Sequence, residues 1–160
     1  PRIIYISSET HRSASSIDFD RFGKYAEYSM AKSVSLYGYY KFFMNTYLQE
    51  LSRRINQDQI EISINSLCPG PVNSNIAREA PAMFKPLVKV IFGLFFRSPE
   101  KAAEPALYLS CSPDVEGESD WYLHLMHRKG VNPEANNPAL GSELWKRSEA
   151  LLEEVLPIQA

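Results

Sequence analysis

The stretch Asn56-Gln57-Asp58-Gln59-Ile60-Glu61-Ile62-Ser63-Ile64-Asn65-Ser66-Leu67-Cys68-Pro69-Gly70-Pro71 decides the fold. Its first four residues are turn formers, which close whatever element precedes them. Ile60 to Leu67 then alternates or runs apolar, as a strand does, and Pro69-Gly70-Pro71 stops it because proline cannot donate to a sheet ladder. Upstream, from about Met30 to Ile55, apolar residues recur at helical spacing. Leu36, Tyr40, Phe43, Tyr47 and Leu51 form one line, with Tyr37, Met44, Leu48 and Ile55 beside it. Arg2 to Ser8 is a run of β-branched and aromatic residues without alternation that ends at a serine pair, the pattern of a strand with neighbours on both sides. Strand, helix and strand with a short second connection is the order of a right-handed parallel crossover, so the expected fold class is α/β. The apolar stripe of the helix is wider than a surface helix needs. It predicts a sheet on one side and a second cover on the other, for which a homodimer partner through the 30–55 helix is one candidate.

Composition narrows the function classes. The chain has 160 residues, enough for one domain with a core. Seventeen Lys and Arg against nineteen Asp and Glu leave a net charge of −2, with no basic surplus for a nucleic-acid partner. Cys68 and Cys111 lie far apart without CxxC or Cys/His spacing, and His11, His124 and His127 have no ligand spacing either, so no metal site is expected. The two cysteines fit a reducing compartment, hence a cytoplasmic protein. Pro1 opens directly on the strand, with no initiator Met and no signal peptide.

The rest of the chain reads as follows. Glu9 to Glu27, rich in Ser, Asp, Arg and Lys with one apolar patch at Ile17 and Phe19, is expected to be a long surface connection. Pro86 to Phe96 is very apolar but, with Lys89 inside it, too short to span a bilayer. It reads as a core helix or as a substrate lid of about 75–96, with peripheral contact between 86–96 and a membrane surface as a further reading. Ser98-Pro99-Glu100 starts a helix well, with a serine cap, proline at the first position and an acid in the first turn. Ser119 to Met126 is expected to be an edge strand, and Asn136-Asn137-Pro138 leads into a last helix of about 138–155.

Chemistry enters with Tyr37-Gly38-Tyr39-Tyr40-Lys41. Four residues apart on a helix, a phenol and an ammonium share one face. A tyrosine base near neutral pH needs its pKa of ~10 lowered by roughly 3 units, about 4 kcal/mol. One positive charge at about 4 Å in an effective dielectric of about 20 supplies roughly that much. A second pair, Tyr28 and Lys32, lies nine residues earlier. On one continuous helix that is about 900°, half a turn net, so the two pairs face opposite ways. Ser7-Ser8 and Pro69-Gly70-Pro71-Val72 both end strands at the carboxyl edge of a parallel sheet, where open α/β sheets bind ligands.

The order Arg2-Ile3-Ile4-Tyr5-Ile6-Ser7-Ser8, Tyr37-x-x-x-Lys41, Asn65-Ser66-Leu67-Cys68-Pro69-Gly70-Pro71-Val72 resembles the serine strand, catalytic helix and Pro-Gly loop of the short-chain dehydrogenase/reductase family. Four further segments resemble its retinol-dehydrogenase-like and WW-domain-oxidoreductase-like branch: Ser7-Ser8-Glu9-Thr10-His11-Arg12, Glu50-Leu51-Ser52-Arg53-Arg54, Ser98-Pro99-Glu100-Lys101-Ala102-Ala103 and Leu144-Trp145-Lys146-Arg147-Ser148. The resemblance covers nearly the whole chain. In that branch the Glu-Leu-x-Arg-Arg element follows the catalytic lysine by nine residues. Glu50 follows Lys41 by nine and Lys32 by eighteen, which favours Tyr37 and Lys41 and leaves Tyr28 as a loop or helix-entry aromatic.

The resemblance implies a hydride transfer between NAD or NADP and an alcohol, aldehyde or ketone, with the apolar lid favouring a lipophilic one. Ser8 would hold the substrate oxygen, and Tyr37 would act as general acid in reduction and general base in oxidation. Lys41 would lower the tyrosine pKa and reach the ribose hydroxyls of the cofactor. Pro69, Gly70 and Val72 would line the nicotinamide, and of Asn73 and Ser74 the latter is the better cofactor contact. The implied fold is a Rossmann-like doubly wound parallel sheet. Residues 1–160 would form only its carboxyl half, a partial domain expected to be inactive by itself, because the Thr-Gly-x-x-x-Gly-x-Gly turn and the Asn-Ala-Gly segment of the family occur nowhere in the sequence. Tyr39, Tyr40, Phe42 and Phe43 are bulkier than the family's residues there. The alternative is a non-catalytic member that binds a nucleotide or a protein.

Overall fold

The structure, a computed structural model, describes residues 1–25, 29, 32–72 and 96–156. Tyr28, Asn73, Ser74 and the expected lid up to residue 95 lie outside the described residues. The elements are β1 (Arg2–Ile6), α1 (Ser33–Gln57), β2 (Ser63–Cys68), α2 (Pro99–Cys111), β3 (Tyr122–His124), β4 (His127–Lys129) and α3 (Pro138–Val155). The sheet order is β1-β2-β3-β4, with the first three strands parallel and β4 antiparallel. The register sets Tyr5 beside Ser66 and Ser66 beside Tyr122, with Ile4 beside Asn65 and Leu67 beside Leu123.

Alternation along these strands builds two different faces. Ile4, Leu67 and Leu123 pack on Leu109 of α2 and on Val115. Tyr5 and Ile64 pack on Leu48 and Ile55 of α1. Helices on both faces make the sheet doubly wound, and α3 adds a further layer outside α1. Among the described residues β1 pairs only with β2, and Ile3 and Ile6 remain exposed.

Capping chemistry fixes the helix ends. Ser98 accepts a hydrogen bond from the Lys101 amide at the start of α2, and Asn137 does the same for Ala139 and Leu140 at the start of α3. At the far end of α1, Asp58 donates its amide to the Arg54 carbonyl and Gln59 turns left-handed at φ 53°. Lys32 is the residue that precedes the first turn of α1, outside the helix body.

Two expectations are corrected, and the expected second cover of α1 is present. Over its described residues 9–25 the expected surface connection is partly interior: Glu9–Ser13 forms a 3-10 turn with His11 fully buried, and Ile17 is buried as well. The polar composition misled because the His11 ring finds backbone partners inside. Ser119 to Met126 does not supply the edge: Tyr122–His124 is interior, with β4 beyond it. The second cover of α1 comes from this chain. Phe42 is buried with Ile17, Ala135 and Leu144, Phe22 stacks on Phe43 at 5.5 Å, and Tyr47 stacks on Trp145 at 5.0 Å. Glu50 braces that layer, pairing with Arg53 at 3.0 Å and Arg54 at 2.9 Å, while Arg53 reaches Asn136. Among the described residues no helix is long and apolar enough to cross a membrane.

Candidate active site

Because β1, β2 and β3 are parallel, Ile6, Cys68 and His124 end at one edge. The chain leaves β1 with one more ladder bond, from the Ser7 amide to the Leu67 carbonyl at 2.6 Å. Ser7 is buried, and its Oγ accepts from Asn45 Nδ2 at 2.7 Å; the same amide nitrogen donates to the Lys41 carbonyl at 2.9 Å. Among the described residues Asn45 Oδ1 has no hydrogen-bond partner.

Ser8 is half-buried and extended, at φ −153°. Its Oγ accepts from the Thr10 amide at 3.3 Å, so its own hydroxyl proton stays available. Its carbonyl is clamped by His11 Nδ1 at 2.6 Å, and His11 Nε2 accepts from the Asn132 amide at 3.0 Å. An imidazole with one donating and one accepting nitrogen is neutral. Burial holds its pKa below the ordinary histidine value, against the pull of the Ser8 carbonyl. The ring meets Tyr122 edge-on at 5.1 Å. Tyr122 donates to Glu9 Oε1 at 2.7 Å, and burial together with that bond pushes its phenol well up. Burial works to raise Glu9, but the Tyr122 bond and the charge of Arg12 outweigh it and hold the carboxyl below its usual range.

Tyr37 is 48 % exposed and Lys41 half-buried. The Lys41 ammonium stands 5.5 Å from the Tyr37 ring centroid and donates to the Ile6 carbonyl at 2.7 Å and to the Tyr5 hydroxyl at 3.2 Å. Burial draws the lysine pKa down, with Cys68 opposing, and burial plus the neighbouring Tyr37 pushes Tyr5 up to about 12. The approach of α1 to the turn that follows Ser8 depends on Gly38, where a Cβ would meet Ser13 Oγ and lie 2.7 Å from the Thr10 carbonyl oxygen. On the β2 side Pro69, Gly70 and Val72 are half-buried. Gly70 has φ +77°, and a Cβ there would fall 2.6 Å from Leu125 Cδ2.

The edge thus gathers Ser8, Tyr37, Lys41, Pro69 and Gly70, although no hydrogen bond joins Ser8 to Tyr37 among the described residues. Lys32, of the second pair, instead lines a cavity of about 360 Å³ with Asp18, Arg21, Tyr39 and Tyr40. Tyr5, Asn45 and His11 escaped the sequence reading. Tyr5 had a signal, a hydroxyl in an otherwise aliphatic run, and Asn45 another, its place one helical turn beyond Lys41. Among the described residues no three His, Cys, Asp or Glu side chains gather as a metal site.

No family model matches the chain. It is 31% identical over 153 residues to retinol dehydrogenase 14 of Mus musculus, covering 94% of this chain and 44% of that protein. It is 29% identical over 155 residues to retinol dehydrogenase 13 of Homo sapiens, covering 94% and 45%. Over 151 residues it is 26% identical to dehydrogenase/reductase SDR family member 13 of Bos taurus, covering 94% and 39%. The chain therefore spans less than half the length of these curated relatives. Similarity that runs over nearly the whole chain, together with a doubly wound α/β sheet, sets this chain within the short-chain dehydrogenase/reductase family, on its retinol-dehydrogenase-like branch.

Proposed function

We propose that the protein is an NAD- or NADP-dependent oxidoreductase acting on an alcohol, aldehyde or ketone, with Ser8, Tyr37 and Lys41 as its catalytic residues. The observation that carries this reading is the Lys41 ammonium, anchored 2.7 Å from the Ile6 carbonyl and 5.5 Å from the Tyr37 ring at the edge that also bears Ser8. When bound, the nicotinamide gives or takes the hydride. Tyr37 gives its phenolic proton to the carbonyl oxygen in reduction and removes it from the hydroxyl in oxidation. Ser8 donates a hydrogen bond from its hydroxyl to that same oxygen and keeps its proton, while its own oxygen accepts from the Thr10 amide.

The residues present fit the nicotinamide and ribose end of such a cofactor. A cationic donor suits ribose hydroxyls, and Pro69, Gly70 and Val72 offer a turn in which Gly70 has φ +77°. With Ser74 they would hold the nicotinamide. The phosphate-binding glycine turn of the family has no counterpart in the sequence. A lipophilic substrate agrees with the retinol in the names of the relatives and with the apolar run 86–96 as lid or membrane contact. Exposed Val34, Tyr37 and Tyr40 at the start of α1 leave room for a homodimer, and the reading includes a cytoplasmic site of action.

Tyr37→Phe in the intact protein tests this. Turnover with a panel of retinoids, steroids and aliphatic aldehydes should fall by roughly 100-fold or more, with nicotinamide binding, followed by fluorescence, retained. A near-normal rate removes Tyr37 from its role. Cofactor binding without turnover of any substrate by the parent protein favours the non-catalytic alternative.

A further inference from the structure

Tyr5 stands on the face of β1 turned toward α1, half-buried against Leu48, Ile55 and Ile64. Its hydroxyl oxygen lies 3.2 Å from Lys41 Nζ, and its ring centroid lies 4.8 Å from the same nitrogen. The next residue along the strand, Ile6, gives the ammonium its carbonyl at 2.7 Å. An ammonium has three protons to donate. Two are taken by successive residues of one strand, so the place of the charge is set by β1 as well as by the flexible lysine stem.

We propose that Tyr5 is a positioning residue whose phenol oxygen, with the Ile6 carbonyl, fixes the Lys41 ammonium beside Tyr37 and leaves one proton of the three for a ligand. This rests on the reading of Tyr37 and Lys41 given above. The groups facing the ammonium are Tyr5 from β1, Tyr37 from α1 and Cys68 from β2. Tyr5 is suited to the task because burial and the adjacent Tyr37 push its phenol to about 12. It therefore stays protonated where Tyr37 is to exchange its proton, and serves Lys41 through a lone pair. A hydrogen bond to the charged form favours that form, so the Tyr5 oxygen works against the burial that draws the lysine pKa down.

The test is the titration of Lys41 in the intact protein without cofactor, followed by NMR of carbon-13-labelled lysine ε-methylenes and assigned by the signal missing in Lys41→Arg. Tyr5→Phe removes only the oxygen and fills the same space. It should lower the Lys41 titration by about one unit, and Tyr5→Leu, which also removes the ring, should lower it further. The alkaline limb of the kcat/KM profile should move down with it. An unchanged Lys41 titration in folded Tyr5→Phe overturns the assignment, and so does an unchanged one in Tyr5→Leu if the first variant does not fold. A titration that moves while the kcat/KM profile stays still keeps Tyr5 in its place beside Lys41 and removes Lys41 from the proposed reaction, so the two readings fail separately.

Discussion

The two faces of the sheet are made from alternate residues of the same three strands, yet they are held by different chemistry. Toward α2, Ile4, Leu67 and Leu123 pack on Leu109 and Val115. A buried polar residue of that face, Asn65, spends its amide on backbone, donating to the Glu118 carbonyl and accepting from the Trp121 amide, both at 2.9 Å. Toward α1, burial is shallower, with Tyr5, Lys41 and Glu9 only half-buried, and side chains pair with side chains: Ser7 with Asn45, Tyr5 with Lys41, Tyr122 with Glu9. Apolar contact is non-directional and mainly stabilises. A buried polar pair is worth little net stability but fixes where its atoms lie, which is what a site needs.

This division can be broken from either side. The largest effect is expected on the apolar face. Leu109 is fully buried, so Leu109→Ala should lower stability by about 3 kcal/mol in urea unfolding. The folded variant should keep the parent's Lys41 titration. A change at Lys41 comparable with the loss in stability would show that the two faces are not separable. A smaller effect is expected from Asn45→Ala, about 1–2 kcal/mol, because it leaves the Ser7 hydroxyl without its donor but also removes an Asn45 Oδ1 that has no partner among the described residues. Here the ranking reverses: turnover in the intact protein should fall by a larger factor than stability accounts for, since Asn45 ties α1 to the Ser7-Ser8 end of β1. Equal losses in both measurements would make Asn45 a packing residue only.

The faces also differ in how far the sequence discloses them. The runs Arg2 to Ser8 and Ile60 to Leu67, the helical stripe and the Ser98 cap are local patterns, and the structure has β1, β2, α1 and α2 there. Tyr37 and Lys41 were legible for the same reason, being one turn apart on one helix. The pairs that surround them are not local. Tyr5 and Lys41 are 36 residues apart, Ser7 and Asn45 are 38, Glu9 and Tyr122 are 113, and His11 and Asn132 are 121. No periodicity reaches that far, so a polar residue bound for the interior reads as surface. Gly38 was unreadable because the sequence does not say what the helix will press against, here the turn that carries Thr10 and Ser13.

His11 offers the finest test, because it lies on the polar face and its folded and unfolded forms hold a proton differently. In the folded chain it is buried, its Nδ1 bonded to the Ser8 carbonyl and its Nε2 to the Asn132 amide, and burial holds its pKa below the ordinary value. The unfolded chain, with a histidine near ~6.5, then binds the proton first as pH falls. Stability must therefore be full above that value, fall as pH drops through it, and level off once the folded form also protonates. Glu9, held below the usual carboxylate range, gives a loss of the same sign in a more acidic window, so the two are separable. His11→Gln, which keeps a donor and an acceptor but cannot charge, should remove the upper part of the slope in urea midpoints measured between about pH 7 and pH 5 and leave the Glu9 part intact. The effect should be smaller than that of Leu109→Ala or Asn45→Ala, because one proton is at issue and no cavity opens. A parent midpoint that is flat or rises with acid over that range would mean that His11 is not held neutral, and the clamp on Ser8 would then lose its second bond to Asn132.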